Sequence, residues 1–213
     1  MLKVERYINE LMTSNCYVVY DEDTRRCLVI DPASEKSLKE IQFIEEKGLV
    51  LDYIILTHEH TDHNWGVNSL REHFPESKLV CSEMCNKYVK KTNSAYFLFY
   101  YDDPNYCYEI LPADVIVKED GCRDWNGHRI QFVMTPGHSY GSMCIDIDGM
   151  LFTGDTIMPF PPYFNGRDSN KESWKESILL IDSRYISDTM IYPGHGSVLT
   201  LGEWKKTNTN HKI

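Results

Sequence analysis

The segment "THEHTDH", residues 57–63, concentrates metal-binding side chains, although the whole chain has only eight histidines among 213 residues. Its four candidate ligands are His58, His60, Asp62 and His63. Imidazole nitrogen and carboxylate oxygen are the ligands that zinc and similar divalent ions prefer near neutral pH. Because His58 and His60 alternate with Glu59, an extended backbone would project both imidazoles to one side. The segment therefore predicts a metal site.

Three further segments place a residue of the same type at the end of an apolar, β-rich run. "TPGHS" ends one run with His138, "FTGDT" ends another with Asp155, and "YPGHG" ends a third with His195. A glycine beside each of these residues gives the backbone freedom to turn. Four strand ends can converge on one edge of a sandwich of sheets. Five histidines and two aspartates are then expected at one place, which is more than a single tetrahedral ion needs.

The elements that must position these residues alternate between strands and helices. Short β-rich runs predict strands at 17–21, 27–33, 51–58, 78–82, 114–121, 128–137, 142–150, 150–156 and 189–196. Apolar residues at helical spacing predict helices at 34–49, 64–74 and 171–183. This order predicts two packed sheets with helices outside, in a single domain over residues 1–213. The tail from Lys205, with His211, is expected to be weakly ordered, and His73 and His128 are expected to be structural or surface residues.

Composition excludes several classes of protein. The net charge of −10 disfavours a nucleic-acid partner, because proteins that bind the phosphate backbone usually have a basic face. No apolar run approaches the length of a membrane span, and the charged N-terminus does not resemble a secretory signal. Seven cysteines without such a signal favour reduced thiols over a disulfide framework. A cytoplasmic protein with a small-molecule substrate is expected.

The motifs "THEHTDH", "PGHS", "GDT" and "PGHG" occur in the order and approximate spacing found in the metallo-β-lactamase superfamily. This resemblance spans nearly the whole chain. It implies an α/β fold, the αβ/βα four-layer sandwich of two mixed β-sheets with helices outside, and a dinuclear site on one edge. By the same resemblance, His58, His60 and His138 hold the first metal, Asp62, His63 and His195 hold the second, and Asp155 bridges them. Two divalent ions per chain are expected, zinc first, with iron and manganese as alternatives.

Details of the resemblance narrow the branch. Asp155 stands where the zinc β-lactamases place cysteine or serine, which favours the glyoxalase II-like branch over antibiotic hydrolysis. The C-terminal helical domain of glyoxalase II has no counterpart after His195, so specificity for glutathione thioesters is not expected. In the loop at 157–168, Arg167 is predicted either to contact an anionic substrate or to form a surface salt bridge.

The expected activity is hydrolysis of an ester, thioester or lactone, with a metal-bridging hydroxide as the nucleophile. Asp62 is expected to orient that nucleophile and to accept its proton. Three alternatives remain open: a mononuclear iron oxidoreductase similar to persulfide dioxygenases, a phosphodiesterase of the same fold, and a scaffold that retains metal without catalysis. Metal analysis separates the first of these, because an oxygenase would bind one iron per chain.

An aromatic-rich insert at about 93–110 is the last unusual feature. Its aromatic side chains are Tyr96, Phe97, Phe99, Tyr100, Tyr101, Tyr106 and Tyr108. They predict a lid over the metals, a homodimer contact, or plain packing. In the lid interpretation, Tyr100 and Tyr101 contact the substrate, and the loop residues Met158, Phe160, Tyr163 and Phe164 form the opposite wall.

Overall fold

A computed structural model describes residues 1–10, 12–89, 91–92, 106–164 and 168–208. The first sheet begins with five strands in spatial order: β1 (Leu2–Ile8), β2 (Asn15–Asp21), β3 (Arg26–Ile30), β4 (Val50–Ile55) and β5 (Lys78–Ser82). Strands β6 (Lys91–Thr92) and β7 (Tyr108–Glu109) form a separate pair, and β8 (Val115–Val117) completes the first sheet beside β5. This sheet is mixed, since β1, β2 and β3 pair antiparallel and the remaining neighbours pair parallel.

The second sheet is also mixed, and the described residues supply six strands to it. These are β9 (Gly121–Trp125), β10 (His128–Met134), β11 (Met143–Ile147), β12 (Met150–Gly154), β13 (Met190–Pro193) and β14 (Leu199–Thr200), adjacent in that order. Only β12 and β13 pair parallel. Because parallel neighbours need a crossover, the longest helix, at 171–184, lies between them in sequence.

Within the described ranges, six helices accompany the sheets. They are α1 (Leu38–Glu46), α2 (Thr61–Asn64), α3 (Val67–His73), α4 (Glu83–Tyr88), α5 (Lys171–Arg184) and α6 (Leu201–Asn208). Ile44 of α1 and Leu70 of α3 pack on one face of the first sheet. Trp174 and Ile181 of α5 pack with Trp204 of α6 on the outer face of the second sheet. The order of layers is therefore helices, sheet, sheet, helices, as the sequence predicted.

Strand β2 shows why the central strands are apolar throughout. All seven of its residues are buried. Val18 and Tyr20 face the helices, whereas Tyr17 and Val19 face the second sheet and pack in a cluster that includes Phe152. A strand covered on both faces needs apolar residues at every position rather than at alternate ones. This inter-sheet cluster holds the two sheets together and so fixes the relative positions of their edges.

The predicted central strands and helices are confirmed, but the sheet edges and the tail differ from the prediction. Strands β1 and β9 were not predicted, because both lie at edges and are largely exposed, so their polar residues do not produce a β-like pattern. The expectation of a weakly ordered tail is wrong for Lys205–Asn208, which continue α6. Here the anchor is Trp204, buried against α5, and His211 lies outside the described residues. All seven cysteines are free thiols, as expected. No helix in the described ranges is long and apolar enough to cross a membrane.

His128, predicted to be a structural or surface residue, links the two sheets. Its Nδ1 lies 2.7 Å from Asp148 in the turn after β11, and its Nε2 lies 3.2 Å from Asp21 at the end of β2. Burial alone would lower the pKa of His128, but the hydrogen bonds to Asp148 and Asp21 raise it above its usual value. The link is therefore strongest when the imidazole is protonated.

We expect His128→Asn to destabilise the protein in a pH-dependent way. A histidine whose pKa is raised in the folded state contributes its full stability below its unfolded pKa of about 6.5 and loses that contribution as the pH rises through its folded pKa. The difference in unfolding free energy between wild type and His128→Asn should therefore be largest below about pH 6 and should shrink above it. Urea denaturation at several pH values measures this difference. His73→Asn is the control. His73 is exposed, and among the described residues its ion pair is with Glu45 alone. A difference that does not change with pH would contradict the prediction.

Candidate metal centre

The seven predicted ligands lie together at one edge of the sandwich. His58 follows β4, and Asp62 and His63 belong to α2 directly after it. His138 follows β10, Asp155 follows Gly154 at the end of β12, and His195 follows Pro193 at the end of β13. Each side chain thus comes from the carboxyl end of a strand or from the turn or short helix that follows it, so the four strand ends converge as the sequence predicted.

Three histidines form the first group. Nδ1 of His60 lies 3.1 Å from Nε2 of His58 and 3.0 Å from Nε2 of His138. A tetrahedral zinc ion with Zn–N bonds of about 2.0–2.1 Å separates its ligand atoms by about 3.3–3.4 Å. The spacing of these nitrogens is therefore close to that of three corners of a zinc tetrahedron.

Asp62, His63 and His195 form the second group, whose ligand atoms all lie within 4.8 Å of one another. Oδ2 of Asp62 is 3.3 Å from Nε2 of His195 and 3.8 Å from Nε2 of His63. Asp155 lies between the two groups. Its Oδ2 is 3.4 Å from Nε2 of His138 and 3.5 Å from Nε2 of His195, and its Oδ1 is 3.4 Å from Nε2 of His63.

Two buried polar atoms indicate that these residues fit metal ions. Among the described residues, Nε2 of His63 and Oδ1 of Asp155 have no hydrogen-bond partner. Buried polar atoms in folded proteins nearly always have such a partner, so an orphaned pair requires an explanation. Both atoms point into the centre of the cluster, where a divalent cation would satisfy them.

Asp31 is a site residue that the sequence analysis missed. It follows β3 and is buried, and its carboxylate accepts hydrogen bonds from the backbone N–H and the hydroxyl of Thr57. Its Oδ2 also lies 2.9 Å from Nδ1 of His63. Asp31, His58 and His63 are close enough to suggest a third metal group, but these hydrogen bonds already engage both oxygens of Asp31. Asp31 therefore orients His63 so that Nε2 faces the cluster.

Asp168 has the same relation to His60. Its Oδ2 lies 2.8 Å from Nε2 of His60, on the far side of the ring from the other histidines. A carboxylate at this nitrogen fixes the ring orientation and directs Nδ1 towards a metal. The loop at 157–168 was considered in the sequence only for Arg167, which lies outside the described residues. Asp31 has one sequence signal, because it lies at the end of a predicted β-rich run, whereas Asp168 has none.

The imidazoles of the two groups differ in how readily they bind a proton. Burial and the neighbouring imidazoles hold the pKa of His58 well below its usual value, and burial lowers the pKa of His138 to about 4. Burial would also lower the pKa of His63, but the carboxylates of Asp155, Asp31 and Asp62 raise it to about 10. Burial would likewise lower the pKa of His60, the third member of the first group, but its contacts with Asp168 raise it. The first group therefore combines two imidazoles that are neutral at neutral pH with one that binds a proton more readily. In the second group a cation must replace a proton, so metal binding is expected to release protons.

Gly194 leaves room for Asp155. A Cβ added at Gly194 would lie 2.1 Å from Oδ1 of Asp155 and 2.8 Å from Cε1 of His63. Real Cβ atoms do not approach other atoms this closely, so no side chain is compatible with position 194 while Asp155 keeps its place. The glycine predicted beside the last ligand serves here for close approach of the backbone.

A cleft of about 1020 Å³ opens above the cluster and includes His60, Asp62, His138, Asp155 and His195 in its lining. Of the predicted substrate contacts, Tyr163 lines this cleft, with Met158 and Phe160 of the same loop. Phe164 does not belong to this wall, because it packs on Trp174 in the core with ring centroids 5.4 Å apart.

Most of the aromatic insert, including Tyr100 and Tyr101, lies outside the described residues, so the lid and the homodimer contact stay predictions. Its described end packs within the subunit. Tyr106 accepts a hydrogen bond from Nε1 of Trp65 and donates one to Glu35, and Tyr108 donates one to Asn64 beside the metal-binding segment. The described contacts of Tyr106 and Tyr108 are therefore with residues of the same subunit.

Comparisons with known proteins agree with this geometry. The model of the family described as "Metallo-beta-lactamase superfamily" matches residues 10–195. The chain is 29% identical over 202 residues to the "Probable polyketide biosynthesis zinc-dependent hydrolase PksB" of Bacillus subtilis, covering 94% of this chain and 81% of that protein. It is 27% identical over 188 residues to the hydroxyacylglutathione hydrolase of Aeromonas hydrophila, covering 86% of this chain but only 62% of that protein.

Among solved structures, the BLEG-1 B3 metallo-beta-lactamase superposes with a TM-score of 0.85. The superposition covers 100% of both chains at 21% sequence identity. A likeness at this identity concerns the fold, and it confirms the four-layer sandwich of two mixed sheets.

Proposed function

Because the chain belongs to the metallo-β-lactamase superfamily, we propose that it is a dinuclear metal-dependent hydrolase of an ester, thioester or lactone. The observation that supports two ions rather than one is the position of Asp155. Its carboxylate lies within 3.5 Å of His138 in the first group and of His195 in the second. A carboxylate in this position can be shared by two cations, whereas a single ion would leave one group of residues without a metal.

In this proposal, His58, His60 and His138 hold one ion, Asp62, His63 and His195 hold the other, and Asp155 is shared. When bound, two divalent ions supply Lewis-acid activation of a water and of a carbonyl near neutral pH. The protein orients and buries the ligands. Asp31 directs Nε2 of His63 inward, and Asp168 directs Nδ1 of His60 inward.

Asp62 is the residue that we propose to handle the proton. It lines the cleft, and its Oδ2 lies 3.3 Å from His195. Burial would raise the pKa of Asp62, but the imidazoles of His63 and His195 hold it well below its usual range. The carboxylate is therefore ionised at neutral pH, and it can orient a water in the cleft and accept its proton.

The relatives support an acyl substrate. One is named for hydroxyacylglutathione, an acylated thiol, and the other is named a zinc-dependent hydrolase of polyketide biosynthesis. The chain spans 62% of the first, so glutathione specificity does not transfer with the resemblance. A thioester, ester or lactone with a different leaving group is the substrate class that we propose.

Zinc-loaded protein is expected to bind close to two ions per chain and to hydrolyse thioesters and activated esters, with negligible hydrolysis of a cephalosporin. The reason is the aspartate at position 155, where the zinc β-lactamases place cysteine or serine. Metal analysis combined with a panel of thioesters, lactones, phosphodiesters and β-lactams tests this. Efficient cephalosporin turnover under the same conditions would contradict the substrate class. One iron per chain with oxygen consumption would support the persulfide dioxygenase alternative, and preferred turnover of a phosphodiester would support the phosphodiesterase alternative.

A further inference from the structure

The cleft above the cluster has an acidic floor and an apolar border. The charged side chains in its described lining, apart from histidines, are the carboxylates of Glu59, Asp62, Asp155 and Asp168, with no lysine or arginine. The apolar side chains in the lining come from two separate segments: Met12 before β2, and Met158, Phe160, Pro161 and Tyr163 after β12. The apolar border favours an uncharged, apolar group next to the reacting bond, because an unpaired charge placed against apolar side chains would lose its hydration.

Met12 is held at the border by a strained backbone. Met12 and Thr13 both have a φ of +53°, a conformation that residues other than glycine adopt rarely and at a cost of about 1–3 kcal/mol each. Hydrogen bonds on either side keep them there. Asn9 donates from its backbone N–H to the Ser14 carbonyl at 2.8 Å and from its side chain to the Ser14 hydroxyl at 2.9 Å. Strain at a cleft border is a reason to look for a function there.

The same turn is joined to the metal-binding residues. The Ser14 hydroxyl donates to the backbone carbonyl of Asp62, and Ser14 forms a backbone bridge with His195. Through Ser14, the turn that carries Met12 is thus held by direct contacts with two of the seven candidate ligands, Asp62 and His195. Despite this anchoring, 49% of Met12 stays exposed, so its side chain is available to a ligand.

Phe160 is anchored to the segment that contains His195 and Gly196. A Cβ added at Gly196 would lie 3.0 Å from Cγ of Pro159 and 3.5 Å from Cε1 of Phe160, so the loop packs directly on the residue after His195. The Gly196 carbonyl accepts hydrogen bonds from Asn15 at 2.9 Å and from Arg6 at 3.0 Å, which fix this backbone. Phe160 is also 49% exposed. Two half-exposed apolar side chains therefore border the cleft on rigid supports.

We propose that Met12 and Phe160 form a selectivity site for an uncharged aliphatic group next to the scissile ester or thioester bond. This inference rests on the proposed hydrolase function and specifies its substrate class. The aliphatic group can belong to the acyl part or to the alcohol or thiol part of the substrate, since both lie next to the bond that breaks. A terminal carboxylate on that group is disfavoured, because it would lose its hydration against the apolar side chains of Met12 and Phe160.

Two substrate series show whether the aliphatic group belongs to the acyl part or to the alcohol or thiol part of the substrate. One varies the acyl chain from acetyl to octanoyl on a fixed thiol, and the other varies the alkyl chain of the thiol on a fixed acetyl group. In the series that enters the site, kcat/KM is expected to rise about fourfold per buried methylene. Replacing the terminal methyl of the preferred chain with a carboxylate is expected to lower kcat/KM by about tenfold or more, because burying an unpaired charge against apolar side chains costs free energy. A rise of kcat/KM with chain length in either series supports the inference and shows which part of the substrate enters the site.

Variants test the two residues. In Met12→Ser and Phe160→Ser, the ratio of kcat/KM for long and short chains should fall towards one through a higher KM for long chains, and Met12→Leu should retain the ratio. Ile186→Ser is the matched control, because Ile186 is 74% exposed and lies outside the cleft lining. Metal content should stay unchanged in all four variants. An unchanged long-to-short ratio in the serine variants, or no chain-length dependence in either series, would overturn the inference.

Methyl ketones of increasing length keep this test separate from the proposed function, because they resemble the substrate but cannot be hydrolysed. Their affinity for the metal-loaded protein, followed by NMR titration, should rise with chain length and should lose that dependence in Phe160→Ser. If no ester or thioester is hydrolysed but the ketones show this pattern, the proposed function fails and the apolar site stands. Chain-length-independent ketone binding would overturn the site even in an active hydrolase.

Discussion

Asp155→Ala is expected to weaken both metal ions together and to lower kcat/KM for the best ester or thioester by more than about 100-fold. The reason is the position of the carboxylate, whose two oxygens lie 3.4–3.5 Å from nitrogens of His63, His138 and His195. Losing a residue that only orients a ligand typically costs about 10–100-fold in metal affinity or activity, and a residue shared by both ions should cost more. Metal content after dialysis and steady-state kinetics measure the two effects.

Asp182→Ala is the matched control for Asp155→Ala, since Asp182 lies on α5 with an exposed ion pair to Lys205. It should retain both ions and full activity. Asp155→Asn separates the effect of the carboxylate's charge from that of the side chain's shape. This variant is expected to lose most of the metal affinity, because a neutral amide oxygen is a weaker ligand for two cations. If Asp155→Ala protein keeps two tightly bound ions, the dinuclear assignment is wrong.

Asp31→Ala is expected to reduce both stability and metal affinity. Asp31 is buried, and without it the N–H and hydroxyl of Thr57 and Nδ1 of His63 lose their partner. Removing one member of a buried hydrogen-bonded charge pair typically costs about 3–5 kcal/mol. Because His63 is then free to rotate, metal affinity is expected to fall by about 10–100-fold in addition. Denaturation of the metal-free protein measures the first effect, and metal titration measures the second.

Asp52→Ala provides the comparison for Asp31→Ala. Asp52 also joins buried elements, accepting hydrogen bonds from Arg26 and from Nε1 of Trp125, but it lies near the start of β4, away from His58. It should lower stability without changing metal affinity. Equal losses of metal affinity in both variants would mean that Asp31 acts through general stability rather than through His63.

The central fold was predictable because its signals are local. Strands such as β2 and β4 are short apolar runs, and residues at their ends could be assigned to one edge without knowing any contact. The edge strands β1 and β9 were not predictable in this way, since an exposed strand needs no apolar pattern. Their pairing depends on neighbours that are distant in sequence.

The grouping of the candidate ligands was predictable, but the residues that orient them were not. His138 and Asp155 each follow a glycine at the end of an apolar run, so residue type and position were enough to single them out. Asp31 and Asp168 are single aspartates in a chain with 32 acidic residues. Their roles depend on distances to His63 and His60 that only the folded chain creates. Met12 gave no signal, because a positive φ at a methionine cannot be read from residue type.

The contact between Gly194 and Asp155 has a consequence for laboratory evolution of new activities. Since position 194 admits no side chain, every amino-acid substitution there displaces the residue shared by the two groups. A selection for altered substrates would therefore recover a constant 194–195 segment and place its accepted changes at positions such as 12 and 160. Deep mutational scanning should show this as intolerance at one glycine beside tolerance at the cleft border. The selected variants would then differ in the substrates that they accept and would share the same arrangement of candidate metal ligands.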